Sequence, residues 1–172
     1  MEAHNIFDKE NHLQPDFDKI QFEALHSWDF GWEILSLINI AESREDDEAL
    51  SRRFSPGQKA LYFFWYLDAA VTNGGFVQFY WNDYQIYLPT IKNGLLLIGD
   101  TELLKLIQEA NHKYFQTQNL FAAQKIKGDW EPLYSQELFD AYDNRYYDIH
   151  DNTMDMIEKY ARANPEEFVK LK

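Results

Sequence analysis

Asn73-Gly74-Gly75 stands between two strongly apolar runs and limits how the middle of the chain can fold. Before it, Leu61 to Val71 is apolar almost throughout. After it, Phe76, Phe79, Tyr80, Tyr84 and Tyr87 recur at the short steps that gather side chains on one face of a helix. Asn and Gly tolerate a left-handed backbone, the usual way for a helix to end. The local expectation is a helix from Pro56 to about Thr72, a sharp turn, and an aromatic-faced helix from Phe76 to Asn82 or Tyr87. Ser55 is a good helix cap, and Pro56 is preorganised for the first helical position. The first of these helices is apolar on more than one face, which places it in the middle of a core. Its interior acid, Asp68, needs a partner if it is buried; a Lys or Arg from elsewhere, or a backbone amine, would serve.

The same signals divide the rest of the chain. Trp28, Trp32, Leu35 and Ile38 or Asn39 share a helical face, with Ile34 and Leu37 alongside and Ser27 or Asp29 as cap. Leu88-Pro89-Thr90 opens a helix that turns Ile91, Leu95, Leu96 and Ile98 inward and ends at Gly99. Thr101 caps a helix to about Gln118, and residues 122–134 read as a loop. Ser135 opens a helix with Leu138, Phe139, Tyr142, Tyr146 and Ile149 as its stripe. Asn152 or Thr153 opens the last long helix, which stops at Asn164-Pro165. No segment alternates with period two over strand length. The fold class is therefore all-α: a single helical domain over residues 21–172 with about seven to nine helices. A loosely ordered arm, residues 1–20 with Pro15, precedes it.

Charge and composition narrow the chemistry. The net charge is −13, distributed as −10 over residues 1–50, +1 over 51–100 and −4 over 101–172. The chain has no Cys, which excludes disulfides and thiolate nucleophiles. It carries no Gly-x-Ser-x-Gly elbow and no glycine-rich phosphate loop, so no catalytic residue is assigned. Two Glu-x-x-His pairs, Glu23 to His26 and Glu109 to His112, have the spacing found in di-iron bundles, but only the Pro-containing arm precedes the first pair, and the acid between the pairs would have to be Asp68 or Asp83, both shorter than Glu. No metal and no cofactor are expected. The aromatics after Gly75 lack the interleaved Lys and Arg of a base-stacking surface and read as core. The polar start and the short apolar runs suggest neither a leader nor a membrane span, hence a cytoplasmic protein.

An acidic protein repels nucleic acid and attracts basic partners. Two stretches carry that acid. Glu45, Asp46, Asp47 and Glu48 form an unbroken run. From Asp129 to Glu158 the charge is −8, and Asp140 and Asp143, then Asp148, Asp151 and Asp155, recur at helical spacing. A row of carboxylates of this kind can compete for a DNA-binding groove; a solvated outer face is the alternative.

Asn73-Gly74-Gly75-Phe76-Val77-Gln78-Phe79-Tyr80-Trp81-Asn82 resembles the signature of a bacterial all-helical family typified by a DNA-mimic protein. Leu95 to Gly99, Leu138 to Tyr147 and Ile157 to Phe168 are similar to further stretches of that family in the same order, so the resemblance covers about residues 55–170. It implies an all-helical fold with no known catalytic centre and no cofactor. For the typifying member it implies a homodimer whose acidic surface occupies the DNA site of a helix-turn-helix repressor. The expectation is a non-enzymatic interaction protein. It would bind a basic protein, such as a DNA-binding transcription regulator, through the two acidic stretches. Asn73, Gly74, Gly75, Phe76 and Gln78 would serve as a structural motif. Two other readings stay open: a ligand-binding module or enzyme with a pocket beside Asn73 to Gln78, and an immunity or adaptor protein for a neighbouring toxin.

Overall fold

The computed structural model describes residues 3–172, so Met1 and Glu2 of the expected arm lie outside the described residues. Among these residues eight α-helices follow one another: α1 (Lys19–Ala24), α2 (Ser27–Ile38), α3 (Arg44–Ser51), α4 (Pro56–Trp81), α5 (Leu88–Ile98), α6 (Thr101–Lys127), α7 (Glu131–Tyr134) and α8 (Asp140–Ala163). The all-α expectation holds. Two residues at each end, β1 (Asp16–Phe17) and β2 (Lys170–Leu171), pair in parallel, a ladder too short for any period-two pattern to announce.

Helix α4 is the axle of the fold. Ser55 accepts the Gln58 amide at 3.0 Å while Gln58 Oε1 accepts the Ser55 amide at 3.0 Å. This reciprocal cap pairs two amides that a helix start leaves open. Leu61, Phe63, Phe64, Leu67 and Val71 are fully buried, and α4 packs against α2, α5 and α8. Helix α5 lies directly on the α4 backbone, because a Cβ on Gly94 would stand 2.8 Å from Ala60 Cα.

Several boundaries differ from the sequence reading. The segments expected as two helices from Ser135 and from Asn152 are the single helix α8. Thr153 does not start a helix, because its hydroxyl donates to Asp100 Oδ2 at 2.6 Å, far away in the chain. Asp100, not Thr101, caps α6; its Oδ1 accepts the Leu103 amide at 2.9 Å. Helix α6 continues past Gln118 to Lys127 because Phe121 is buried against Tyr80 and Phe139, and Gly128 ends it with φ of 67°. Neither Ser27 nor Asp29 caps α2 through its side chain; Glu158 reaches over from α8 and accepts the Ser27 amide at 2.5 Å. Leu96, read as inward-facing, is exposed, and so are Trp32 and Leu37 of α2.

The segment expected as a loose arm is tied to the domain from residue 4 onward. His4 is buried and bonded to Ser51 Oγ at 2.9 Å. Lys59 Nζ donates to the Ile6 carbonyl, and Gln58 Nε2 to the Leu13 carbonyl. Desolvation holds the buried Lys59 ammonium down at about 8. Among the described residues no helix is long and apolar enough to cross a membrane.

Candidate functional site

The four-acid run splits by helical geometry. Successive residues of α3 turn by about 100°, so the run cannot face one way. Glu45 and Asp46 are exposed, and Glu48 pairs with Arg52 at 2.6 Å. Asp47 is 2% exposed and accepts the hydroxyls of Tyr62 at 2.7 Å and Tyr87 at 3.0 Å. Asp47 is therefore a buried acceptor, and its assignment to a partner-binding surface is corrected. Desolvation and then the Asp47 bond push the Tyr62 hydroxyl far above its usual range.

Helix α8 sorts its acids in the same way. Asp140, Asp148, Asp151 and Asp155 are exposed and, at about 100° per residue, fall within an arc of about 80°. Asp151, within that row, accepts the Trp28 indole N–H at 2.5 Å. Arg145, the base within the interval, turns away and pairs with Glu109 at 2.5 Å. Asp143 leaves the row and points inward, so it too is corrected from a surface charge to an internal one. Of the Glu-x-x-His pairs, His26 binds Glu158 and Glu109 binds Arg145; the two pairs are not brought together. Among the described residues no group of three His, Cys, Asp or Glu is placed to hold a metal ion.

Among the described residues Asp68 finds neither a Lys nor an Arg. Its Oδ1 accepts the Tyr146 hydroxyl at 3.0 Å and binds His150 Nδ1 at 2.8 Å. Burial raises its pKa, and the His150 and Tyr146 bonds oppose that rise. Among the described residues no hydroxyl or thiol is bonded to His150 as a nucleophile would be, so the group reads as a fastening between α4 and α8.

The Asn-Gly-Gly break is a kink inside α4 rather than a reversal of the chain. Gly74 has φ −155° and ψ 31°, and Gly75 has φ 66° and ψ −175°, a combination open essentially to glycine alone. A kink frees amides and carbonyls from the helical ladder, and each needs another partner. Asp143 Oδ1 accepts the Phe76 amide at 2.8 Å. Tyr134 donates to the Gly74 carbonyl at 2.7 Å, and Tyr147 to the Thr72 carbonyl at 3.1 Å. Helices α7 and α8 thus complete the broken ladder, a role no local sequence signal could give them.

Burial raises the Asp143 carboxyl to about 6; the Phe76 amide opposes the rise and Asp140 adds to it. A folded pKa above the unfolded value of 3.8 means stability that is complete below the lower value and lost as pH climbs through the upper one. Asp143→Asn keeps an acceptor for Phe76 without the desolvated charge. Because water partly screens the group, the variant is expected to gain about 1 kcal/mol over the wild type near neutral pH. The gain should vanish near pH 4. Urea midpoints at the two pH values measure it; an equal loss at both would show that the charge itself holds the kink.

Two concavities meet at the second half of α4. One, of about 480 Å³, is walled by Trp81, Trp130 and Tyr134 beside Asn73 and Gly74. The other, of about 230 Å³, is walled by Trp65, Tyr66 and Tyr84. Gln78 and Asn82, one turn apart on α4, line both. Gln78 Oε1 is held by Asn73 Nδ2 at 2.7 Å, which leaves its own Nε2 directed outward from that bond. Trp130 and Tyr134 belong to the stretch read as a loop, and their arrival beside the kink was not legible locally.

A model of the family described as DMP19-like protein matches residues 52–164, from the end of α3 to the end of α8. A search of the curated proteins finds no match.

Proposed function

The chain belongs to the DMP19-like protein family, and from that membership and the carboxylate row on α8 we propose a non-enzymatic interaction protein that binds a basic, DNA-binding partner in place of DNA. The observation that carries this reading is the row itself. Asp140, Asp148, Asp151 and Asp155 lie exposed on one continuous helix of 24 residues. At a rise of about 1.5 Å per residue the row spans about 22 Å, with its closest members about 5–6 Å apart. Duplex DNA carries its charges at about 3.4 Å of axis per strand, so the row is sparser than a phosphate strand but comparable in reach. It is also rigid, which spares a partner the ordering cost of a disordered acidic tail. The partner in this reading is a transcription regulator with a basic DNA-binding groove, and the protein itself acts as a homodimer, as the sequence resemblance implies.

Substituting Lys for Asp140, Asp148, Asp151 and Asp155 together tests the proposal. The immobilised wild-type protein is expected to retain a helix-turn-helix protein from native lysate and to release it to moderate salt or to competing duplex DNA. The reversed row should retain at least about tenfold less, with unchanged circular dichroism. All four residues are exposed, but Asp151 also accepts the Trp28 indole N–H, so the triple Asp140, Asp148 and Asp155 reversal, which leaves that bond intact, is run beside the fourfold one and should show the same loss. Capture that survives both salt and charge reversal would refute the reading.

A further inference from the structure

We propose that the paired concavities on α4 form a groove for an extended, proline-rich peptide segment carrying basic flanks. The proposal stands independently of the α8 row. Gln78 and Asn82 form a saddle shared by two aromatic hollows, so the site is elongated, and a linear ligand matches it better than a compact one. None of the lining residues is charged, which disfavours phosphorylated or ionic ligands and favours a neutral chain. Trp130 is 53% exposed and Tyr134 37%, and the two rings meet edge to face at 5.2 Å. That is an upright aromatic wall against which a pyrrolidine ring can lie.

The polar groups match the same ligand. A polyproline II segment has bare carbonyls and few N–H groups of its own. The lining residues carry donors: the Gln78 and Asn82 side-chain amides and the indole N–H groups of Trp81 and Trp130. Among the described residues no hydrogen bond within the chain engages these donors, although the Gln78 carbonyl oxygen is already taken by Asn73. Successive prolines lie on one edge of such a helix about 9 Å apart. Asp129 and Glu131, the exposed chain neighbours of Trp130, complement Arg or Lys beside the proline core.

The test uses isotope-labelled full-length protein and three short synthetic peptides: two Pro-x-x-Pro units flanked by Arg, the same peptide with Ala for Pro, and a Gly-Ser peptide of equal charge. The first is expected to move the Trp81 and Trp130 indole resonances saturably, and the other two to bind at least about tenfold more weakly. The Gln78→Ala/Asn82→Ala pair and, separately, Trp130→Ala should each weaken binding about tenfold, as the loss of one or two hydrogen bonds or of one stacking wall would. All three residues lie outside the buried core. Equal binding by the charge-matched peptide would reduce the groove to electrostatics, and equal binding by the Ala peptide would remove the polyproline requirement. No shift at millimolar peptide, or shifts confined to other residues, would also overturn the proposal.

Discussion

Gly75→Ala is expected to cost about 2–6 kcal/mol, a large share of the roughly 5–15 kcal/mol that holds a typical domain folded. Two separate terms add. The backbone at Gly75, φ 66° and ψ −175°, is strained by about 1–3 kcal/mol for any residue with a Cβ. That Cβ would also lie 2.9 Å from Asp143 Cγ, and overpacking of this kind costs about 1–3 kcal/mol. Asp143 cannot step aside cheaply, because its Oδ1 is the acceptor for the Phe76 amide. Gly99→Ala is the control: φ there is 81°, yet nothing lies within 4 Å of the added Cβ. It should cost only about 1 kcal/mol. Urea unfolding of the two variants separates the terms. If Gly75→Ala loses no more than Gly99→Ala, the kink is not held in the way described.

Asp47→Ala is expected to lose about 2–4 kcal/mol, while Asp46→Ala, one position earlier, should lose under about 1 kcal/mol. The contrast follows from burial. Asp46 meets solvent and the Ser43 hydroxyl, whereas Asp47 is the acceptor for a Tyr62 hydroxyl that no water reaches. Removing Asp47 strands that hydroxyl and opens a small cavity. Asp47→Asn, which keeps one acceptor oxygen, should fall between the two. Thermal melts of the three variants check the order, and equal losses at positions 46 and 47 would contradict the burial argument. The practical corollary is that reversing the whole run from 45 to 48 would unfold the chain and imitate a loss of binding. Tests of partner recognition belong on α8.

What the sequence reveals here is what a few neighbouring residues decide. Ser55-Pro56 with Gln58 names its own helix start, because every group in the cap lies within one turn. Gly99 names a helix end for the same reason. Asn73-Gly74-Gly75 announces a break, but not whether the chain reverses or kinks. That depends on Asp143, Tyr134 and Tyr147, which arrive from α7 and α8. Thr153 shows the converse error: it has the residue type of a helix cap, yet a distant carboxylate claims its hydroxyl. Asp47 sits among four acids with nothing local to mark it, and only the rings of Tyr62 and Tyr87 make it internal. Of the proposed interaction surface, the periodicity of α8 was legible. The inward turn of Asp143 and the placement of Trp130 and Tyr134 against α4 were not, since both depend on how separate helices pack.

The parallel pairing of Asp16 and Phe17 with Lys170 and Leu171 carries a consequence for the order of events in synthesis. The β1 backbone takes its hydrogen bonds from the far end of the chain, where Lys170 donates to Pro15 and Lys172 to Phe17. Closing so long a loop costs on the order of 4 kcal/mol in chain entropy. A nascent polypeptide can build the α4 axle and its neighbours as they appear, but the seat for residues 15–17 does not exist until residues 170–172 have been made. The pairing is therefore a clasp, in which residues 15–17 wait for residues 170–172.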